Sequence, residues 1–428
     1  MNVRRDSMKV TRGSTGTKGN RWRLTALAGL TAVGVAVACT AGAAAGGVVG
    51  GDAAAAAGAR GHGSLERDAR AVVDSGATAV VAAASVAGER GQRAAAGVTD
   101  LDDPRRVDPG SYYRIGSDTK TFTAVVVLQL VAEGRLDLGD TVERWLPGVV
   151  TGHGNDGSRV TVRNLLQHTS GIANYTDILF GDPGALTPEA YEEGRFDVLT
   201  PEDKVALAMT REPGWLPDAA SPGSETRWSY SNTNYILAGM IVERVTGHSW
   251  EREVHERVIA PLGLDHTLTS GTSAYVPQPT ATAYLQFPGQ EELTDTTLAV
   301  EGGADGGIIS TAEDMTAFHR ALLDGRLLGP AELAEMRTTV PAPDFSARPG
   351  TRYGLGLAWS PMEGCDGGIW FHGGTSFGTS SEGAVTDDGR AAAEAGVYTL
   401  SFADAQAQEE LSAATRHLVE HALCGTGD

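Results

Sequence analysis

Ser117-Asp118-Thr119-Lys120 places a hydroxyl three residues ahead of a primary amine, just before a long apolar run. If the run is helical, the two side chains share one face of its first turn and can meet. The positive end of that helix would favour a serine alkoxide and draw the lysine pKa down, the conditions for a serine nucleophile with an amine base. Only Lys120 and Lys204 occur after residue 18, the other basic positions being arginine. Arginine does not give up its proton, whereas a buried lysine can, so a lysine here is informative. On its own the pattern also fits a helix-capping serine beside a solvated lysine.

Two further groups could complete the chemistry. Tyr230-Ser231-Asn232 precedes a second apolar segment; its phenol could shuttle a proton and its amide could hold a substrate carbonyl. His372-Gly373-Gly374-Thr375 ends a late apolar stretch, where backbone N–H groups could face a developing oxyanion. Two other patterns are weaker. Gly374-Thr375-Ser376-Phe377-Gly378 matches a nucleophile elbow but is followed by more Gly and Ser and another strand, not by the helix an elbow needs. His417-Leu418-Val419-Glu420-His421 matches a zinc pattern on a helix, with no evident further ligand near the C-terminus, and reads as helix surface. His168 reads as a residue that orders a turn.

Positioning these groups requires a scaffold that the pattern outlines. Ser64 starts a helix running through Asp74, and Ala77–Val86 and Gln92–Val98 form strands around Gly88-Glu89-Arg90-Gly91. Thr119–Glu133, stopped by Gly134, is apolar nearly all round and so a buried central helix. Helices are expected at Val162–Gln167, Pro201–Met209, Tyr235–Val245, Trp250–Val258 and Ala312–Leu323. Strands follow at Gly368–His372, Glu382–Thr386 and Ala395–Leu400, then a helix at Ala405–Leu423. The order implies an α+β fold, an antiparallel sheet built from both chain ends and interrupted by a mostly helical insertion. The sheet part spans about 64–116 and 350–426, the helical part about 117–349.

The formal net charge is −20; residues 1–23 hold seven basic side chains against Asp6, so the remainder is more acidic still. Such a chain repels phosphate backbones, and nucleic acid is excluded as a partner. Residues 1–40 read as a signal peptide, with an apolar run from Leu24 to Ala38 too short for a comfortable membrane span. Ala36-Val37-Ala38-Cys39 resembles a lipobox, which would anchor the chain through lipid on Cys39; the alternative is cleavage in the Ala/Gly stretch at 41–59. Residues 41–63 are a leader remnant or linker, and 64–426 the folded domain. Secretion to an oxidising compartment suggests a disulfide between Cys365 and Cys424, the only cysteines beyond the leader; the alternative is two buried free thiols.

Ser-x-x-Lys, Tyr-x-Asn and His-x-Gly in this order resemble the serine D-alanyl-D-alanine carboxypeptidases and class C β-lactamases, the penicillin-recognising serine hydrolases. The likeness extends through Thr121–Leu138, Leu165–Gly171, Tyr230–Gly247 and Tyr353–Leu357. It implies a β-lactamase/transpeptidase-like fold without a metal or cofactor, and attack by Ser117 on a D-Ala-D-Ala-terminated cell-wall peptide or a β-lactam. Lys120 and Tyr230 would share acid/base work, and His372 would lend electrostatic and hydrogen-bond support. Asn232 would orient the substrate amide, the N–H groups of Ser117 and Thr375, beside Gly374, would hold the oxyanion, and Phe180 would pack on substrate. The alternatives are a β-lactamase or carboxylesterase on the same scaffold, or a silent penicillin-binding sensor, against which the three motifs argue. Departures from the pattern fall at Asp118, a carboxylate beside the nucleophile; at Gly373, which lacks a hydroxyl; at Trp359-Ser360-Pro361, where an arginine would grip the substrate carboxylate; and at Glu301, near a pocket tryptophan of the relatives.

Overall fold

The computed structural model describes residues 54–365 and 367–425, with side chains from residue 64 onward; the leader, Cys39 and most of the 41–63 segment lie outside the described residues. Helix α1 (Ala54–Asp74) leads into a hairpin of β1 (Ala79–Val86) and β2 (Gln92–Gly97). Helix α2 (Thr119–Ala132) follows, then short helices and loops around α3 (Asn232–Thr246) and α4 (Ala312–Leu323). Strands β3 (Val340–Pro341), β4 (Arg352–Tyr353), β5 (Ala358–Ser360), β6 (Ile369–Ser376), β7 (Thr379–Thr386) and β8 (Ala391–Val397) precede the last helix, α5 (Ala405–Cys424).

One eight-stranded antiparallel sheet runs in the order β3-β4-β5-β6-β7-β8-β1-β2. The first strand pairs with the last, Val80 opposite Val397 and Ala83 opposite Glu394. Because β1 is covered on both faces along Ala79–Ala84, those six residues are an unbroken run of small apolar side chains, not an alternation. Val80, Ala82 and Ala84 pack with Leu65, Ala69 and Val72 of α1 and Leu411, Leu418 and Val419 of α5. Val81 and Ala83 face the other way, in a core with Phe122 of α2 and Met315 and Phe318 of α4. Phe122 stacks on Phe318 with centroids 3.7 Å apart, and truncating either would cost about 3–5 kcal/mol.

Helix α2 is buried at every position from Thr119 to Leu128. Its polar side chains inside the core are satisfied: Thr121 donates to the Gly356 carbonyl at 2.7 Å, and Thr123 donates to the Ala304 carbonyl and accepts from the Trp250 indole. These bonds fix α2 both to the segment before β5 and to the 301–307 loop. Helix α3 starts three residues before the expected Tyr235 and ends one residue past Val245, where Gly247 closes it with φ +79°.

Three short strands at one side of the sheet, β3 to β5, were not legible in the sequence, since each spans only two or three residues. The helix expected at Trp250–Val258 extends to Leu262 through a wide turn at His255–Ile259. Pro261 has no amide proton for the Arg257 carbonyl four residues back, and Gln129 donates to that carbonyl instead. Cys365 and Cys424 form a disulfide that ties the end of α5 to the segment before β6.

Candidate active site

Ser117 sits in a single tight turn, Gly116–Asp118, that runs into α2, so Ser117 and Lys120 share one face as the spacing predicts. Lys120 Nζ lies 2.9 Å from Ser117 Oγ and donates to the Asp305 carbonyl at 2.6 Å. Its side chain is fully buried. Burial lowers its pKa from 10.5 to about 7, with Asp305 and Asp118 opposing the fall. Near neutrality a large fraction is therefore the free amine, able to accept the Ser117 proton while keeping its bond to Asp305.

Tyr230 donates to Ser117 Oγ at 2.8 Å from the other side. Burial pushes its phenol well above the usual range, so it holds its proton and acts as a donor. Ser117 Oγ thus stands between an amine that can take a proton and a phenol that can give one, the requirement for acylation with protonation of a leaving nitrogen. His168 holds the Tyr230 loop: its Nδ1 accepts from Ser231 N at 3.2 Å, its carbonyl accepts from Ser229 N, and its ring lies 4.4 Å from that of Tyr230. Burial lowers its pKa, which keeps Nδ1 free to accept.

Strand β6 approaches the nucleophile through two glycines. A Cβ on Gly116, where φ is +51°, would fall 2.7 Å from Thr375 N. One on Gly374 would fall 1.9 Å from the Ile115 carbonyl and 2.7 Å from Ser117 N. Only a glycine pair lets the two backbones lie this close, which sets the Gly116–Ser117 and Gly374–Thr375 peptides, the expected oxyanion donors among them, side by side.

The other expected residues have mixed outcomes. Asn232 opens α3, lines the cavity beside Ser117 and donates to Thr176 Oγ1 at 3.2 Å. Phe180 also lines it, edge-on to Phe377. His372 does not supply charge. It is fully buried, between the Tyr353 hydroxyl at 3.0 Å and the Gly373 carbonyl at 2.7 Å. Burial, with the Lys120 charge adding to it, holds its pKa at about 3, so the ring is neutral. Asp118, the carboxylate next to the nucleophile in sequence, is fully buried. Its side chain is buried against Ser381, and burial, then the Glu394 carboxylate, hold its carboxyl well above the usual range. Ser381 Oγ also lies 2.9 Å from the Ile115 carbonyl, so this buried network ties the nucleophile turn to β7.

Sequence reasoning missed Asp305, Tyr175 and the use of Lys204. Tyr175 donates to Asp305 Oδ2 at 2.8 Å, and Lys204 donates to the Gly302 carbonyl at 2.6 Å, which together hold the loop that meets Lys120. A second lysine in a lysine-poor chain was the one available signal. Glu301 occupies the far wall, against Ser376, Phe377 N and the buried Arg114 guanidinium. The cavity measures about 1180 Å³, with apolar walls from Leu179, Phe180, Val198, Val300 and Phe377.

The model of the Beta-lactamase family matches residues 64–395, more than half of the sequence and all three motifs. The chain belongs to the Beta-lactamase family. Within this family's fold, it resembles a D-stereospecific amidohydrolase from Streptomyces sp., 39% identical with TM-score 0.71, over 83% of this chain and 98% of that one. The D-amino acid amidase from Ochrobactrum anthropi SV3 has the same fold at 23% identity, with TM-score 0.71 over 84% of this chain and 97% of that one. PbpX of Bacillus subtilis, a protein named for penicillin binding, is 28% identical over 256 residues, 59% of this chain. The chain spans 55% of the length of PbpX and 32% of that of protein flp of Staphylococcus aureus. This is a penicillin-binding-protein-like serine hydrolase with a β-lactamase/transpeptidase-like fold.

Proposed function

We propose that the protein is a D-stereospecific amidohydrolase that cleaves amides or peptides of D-residues through an acyl-enzyme on Ser117. The observation that carries this reading is the charge pattern of the cavity. Cleavage next to a free C-terminal carboxylate calls for an unmatched cation, and the described cations in the walls are matched. Arg348 lies between Glu382 and Glu420, Lys204 beside Asp305, and Arg416 beside Glu409. Glu301, Asp197 and Asp344 add further carboxylates to the walls. A substrate with a free ammonium and an uncharged leaving group suits such a pocket better than a carboxylate-terminated peptide. The resemblance to the Streptomyces amidohydrolase supports the same choice.

In this reading Ser117 Oγ bonds to the acyl carbon as its proton passes to Lys120, and the carbon–nitrogen bond breaks as the leaving nitrogen takes a proton from Tyr230. Tyr230 regains a proton from Lys120, and water, activated by the same amine, releases the acid. Export and oxidative folding form part of the proposal, supported by the Cys365–Cys424 disulfide. The test compares ammonia release from D- and L-phenylalanine amide with D-Ala release from an acyl-D-Ala-D-Ala peptide. A D-amide preference with slow D-Ala release is expected. Faster D-Ala release would restore the carboxypeptidase reading, and a Ser117 that no amide, activated ester or fluorescent penicillin acylates would indicate a silent binding protein.

A further inference from the structure

We propose that Asp68, His417 and His421 form a binding site for a divalent transition-metal ion of the zinc class, bridging the first and last helices. The sequence offers two histidines four residues apart, which a helix places one turn apart on one face. In α5 their rings lie nearly parallel, 15° apart in plane with centroids at 5.6 Å. The third ligand, invisible in sequence, comes from α1. Asp68 Oδ2 lies 2.6 Å from His421 Nδ1, and one donor atom from each of the three residues falls within 4.8 Å of the other two.

Zinc bonds of about 2.0–2.2 Å at tetrahedral angles put donor atoms roughly 3.3–3.5 Å apart, so a small rotation of the imidazoles admits the ion. Two imidazoles and a carboxylate suit zinc, copper or nickel, not calcium or magnesium. Asp68 is largely buried, and its remaining ionic neighbour is Arg67 Nε at 3.8 Å, so an ion would neutralise a carboxylate that α5 covers. His417 is exposed and leaves the fourth position open to water. The motif's Glu420 turns away to Arg348 and is not a ligand.

His248, Glu253 and Glu256 also cluster, but Arg257 and Arg252 already occupy those two carboxylates, and their charges oppose a cation. None of the three proposed ligands lines the Ser117 cavity. The ion would act as a brace, gripping α5 one turn before Cys424 fastens its end.

The test uses the full, disulfide-intact protein, dialysed against micromolar Zn²⁺ with metal analysis, and Co²⁺ as an absorbing probe of the ligand field. The expected result is one ion per chain and a higher unfolding temperature with Zn²⁺. His417→Ala and His421→Ala should each weaken binding at least about tenfold, and His248→Ala should leave it unchanged. Ser117-dependent ester hydrolysis should be the same in all of them. Failure of the wild-type protein to retain Zn²⁺, or equal retention by His417→Ala, would overturn the proposal.

Discussion

Replacing Lys120 by methionine should abolish activity and stabilise the protein, and the size of the second effect should depend on pH. In the unfolded chain the amine titrates near its ordinary 10.5, and in the folded protein at about 7. A group whose folded pKa is lowered this way destabilises the fold wherever the unfolded chain keeps the proton, fully below pH 7 and less as pH rises toward 10.5. At about 1.4 kcal/mol per pH unit, the burden is on the order of 5 kcal/mol at pH 6 and about 2 kcal/mol at pH 9. Methionine removes it but strands the Asp305 carbonyl, at about 1–3 kcal/mol that does not depend on pH. The stability gain of Lys120→Met over wild type should therefore shrink by about 3 kcal/mol between pH 6 and pH 9. Titrating groups that do not feel the Lys120 charge are common to both proteins and cancel. Denaturant unfolding of both proteins at the two pH values measures this, and burst kinetics on a p-nitrophenyl ester should show acylation slowed by about 10²–10⁴-fold. A gain that stays flat with pH would mean that Lys120 remains charged throughout. The amine could then not be the base that deprotonates Ser117.

For the wild type, kcat/KM should rise tenfold per pH unit up to an apparent pKa of about 7 and then level off, read from initial rates on an uncharged amide. Tyr230→Phe should slow amide cleavage by about 10²–10⁴-fold but a p-nitrophenyl ester far less, because that leaving group departs without a proton. Gly374→Ala should push β6 off the nucleophile turn and remove acylation by fluorescent penicillin, with the far-ultraviolet circular dichroism of a folded protein retained. Asp118→Asn, which keeps a hydrogen-bond partner for Ser381, should keep activity within a few fold, whereas Asp118→Ala should lower thermal stability by removing the buried Asp118–Ser381 hydrogen bond.

The parts of the fold and site that the sequence revealed depend on local rules. An amine three residues after a serine at a helix start, a proline or glycine at a helix end, and apolar runs of strand length all act within a few residues. The parts it hid depend on approach between distant segments. Asp305 acts on Lys120 through its backbone carbonyl, which any residue type would offer. Asp118 reads as an ordinary carboxylate until its burial against Ser381 is known. His372 fits the motif expected of it, yet its neutral state follows from burial and from the Lys120 charge, neither of which a local pattern shows. Asp68 lies more than 300 positions from the histidines it meets, so no spacing rule could pair them.

The register of β1 against β8 carries a consequence for how the chain reaches this structure. The hairpin at the start must wait for the last strands, because its open side pairs with residues 391–397. Meanwhile α1 and α5 bring the two ends of the domain together, with Asp68 and His421 in contact only a few residues from Ser64 and Cys424. A circular permutant that joins Gly425 to Ser64 through a short linker and opens the exposed stretch 218–222 would make all eight strands contiguous along the chain. Its sheet would form from neighbours in sequence, so it should fold faster than the natural order while building the same pocket.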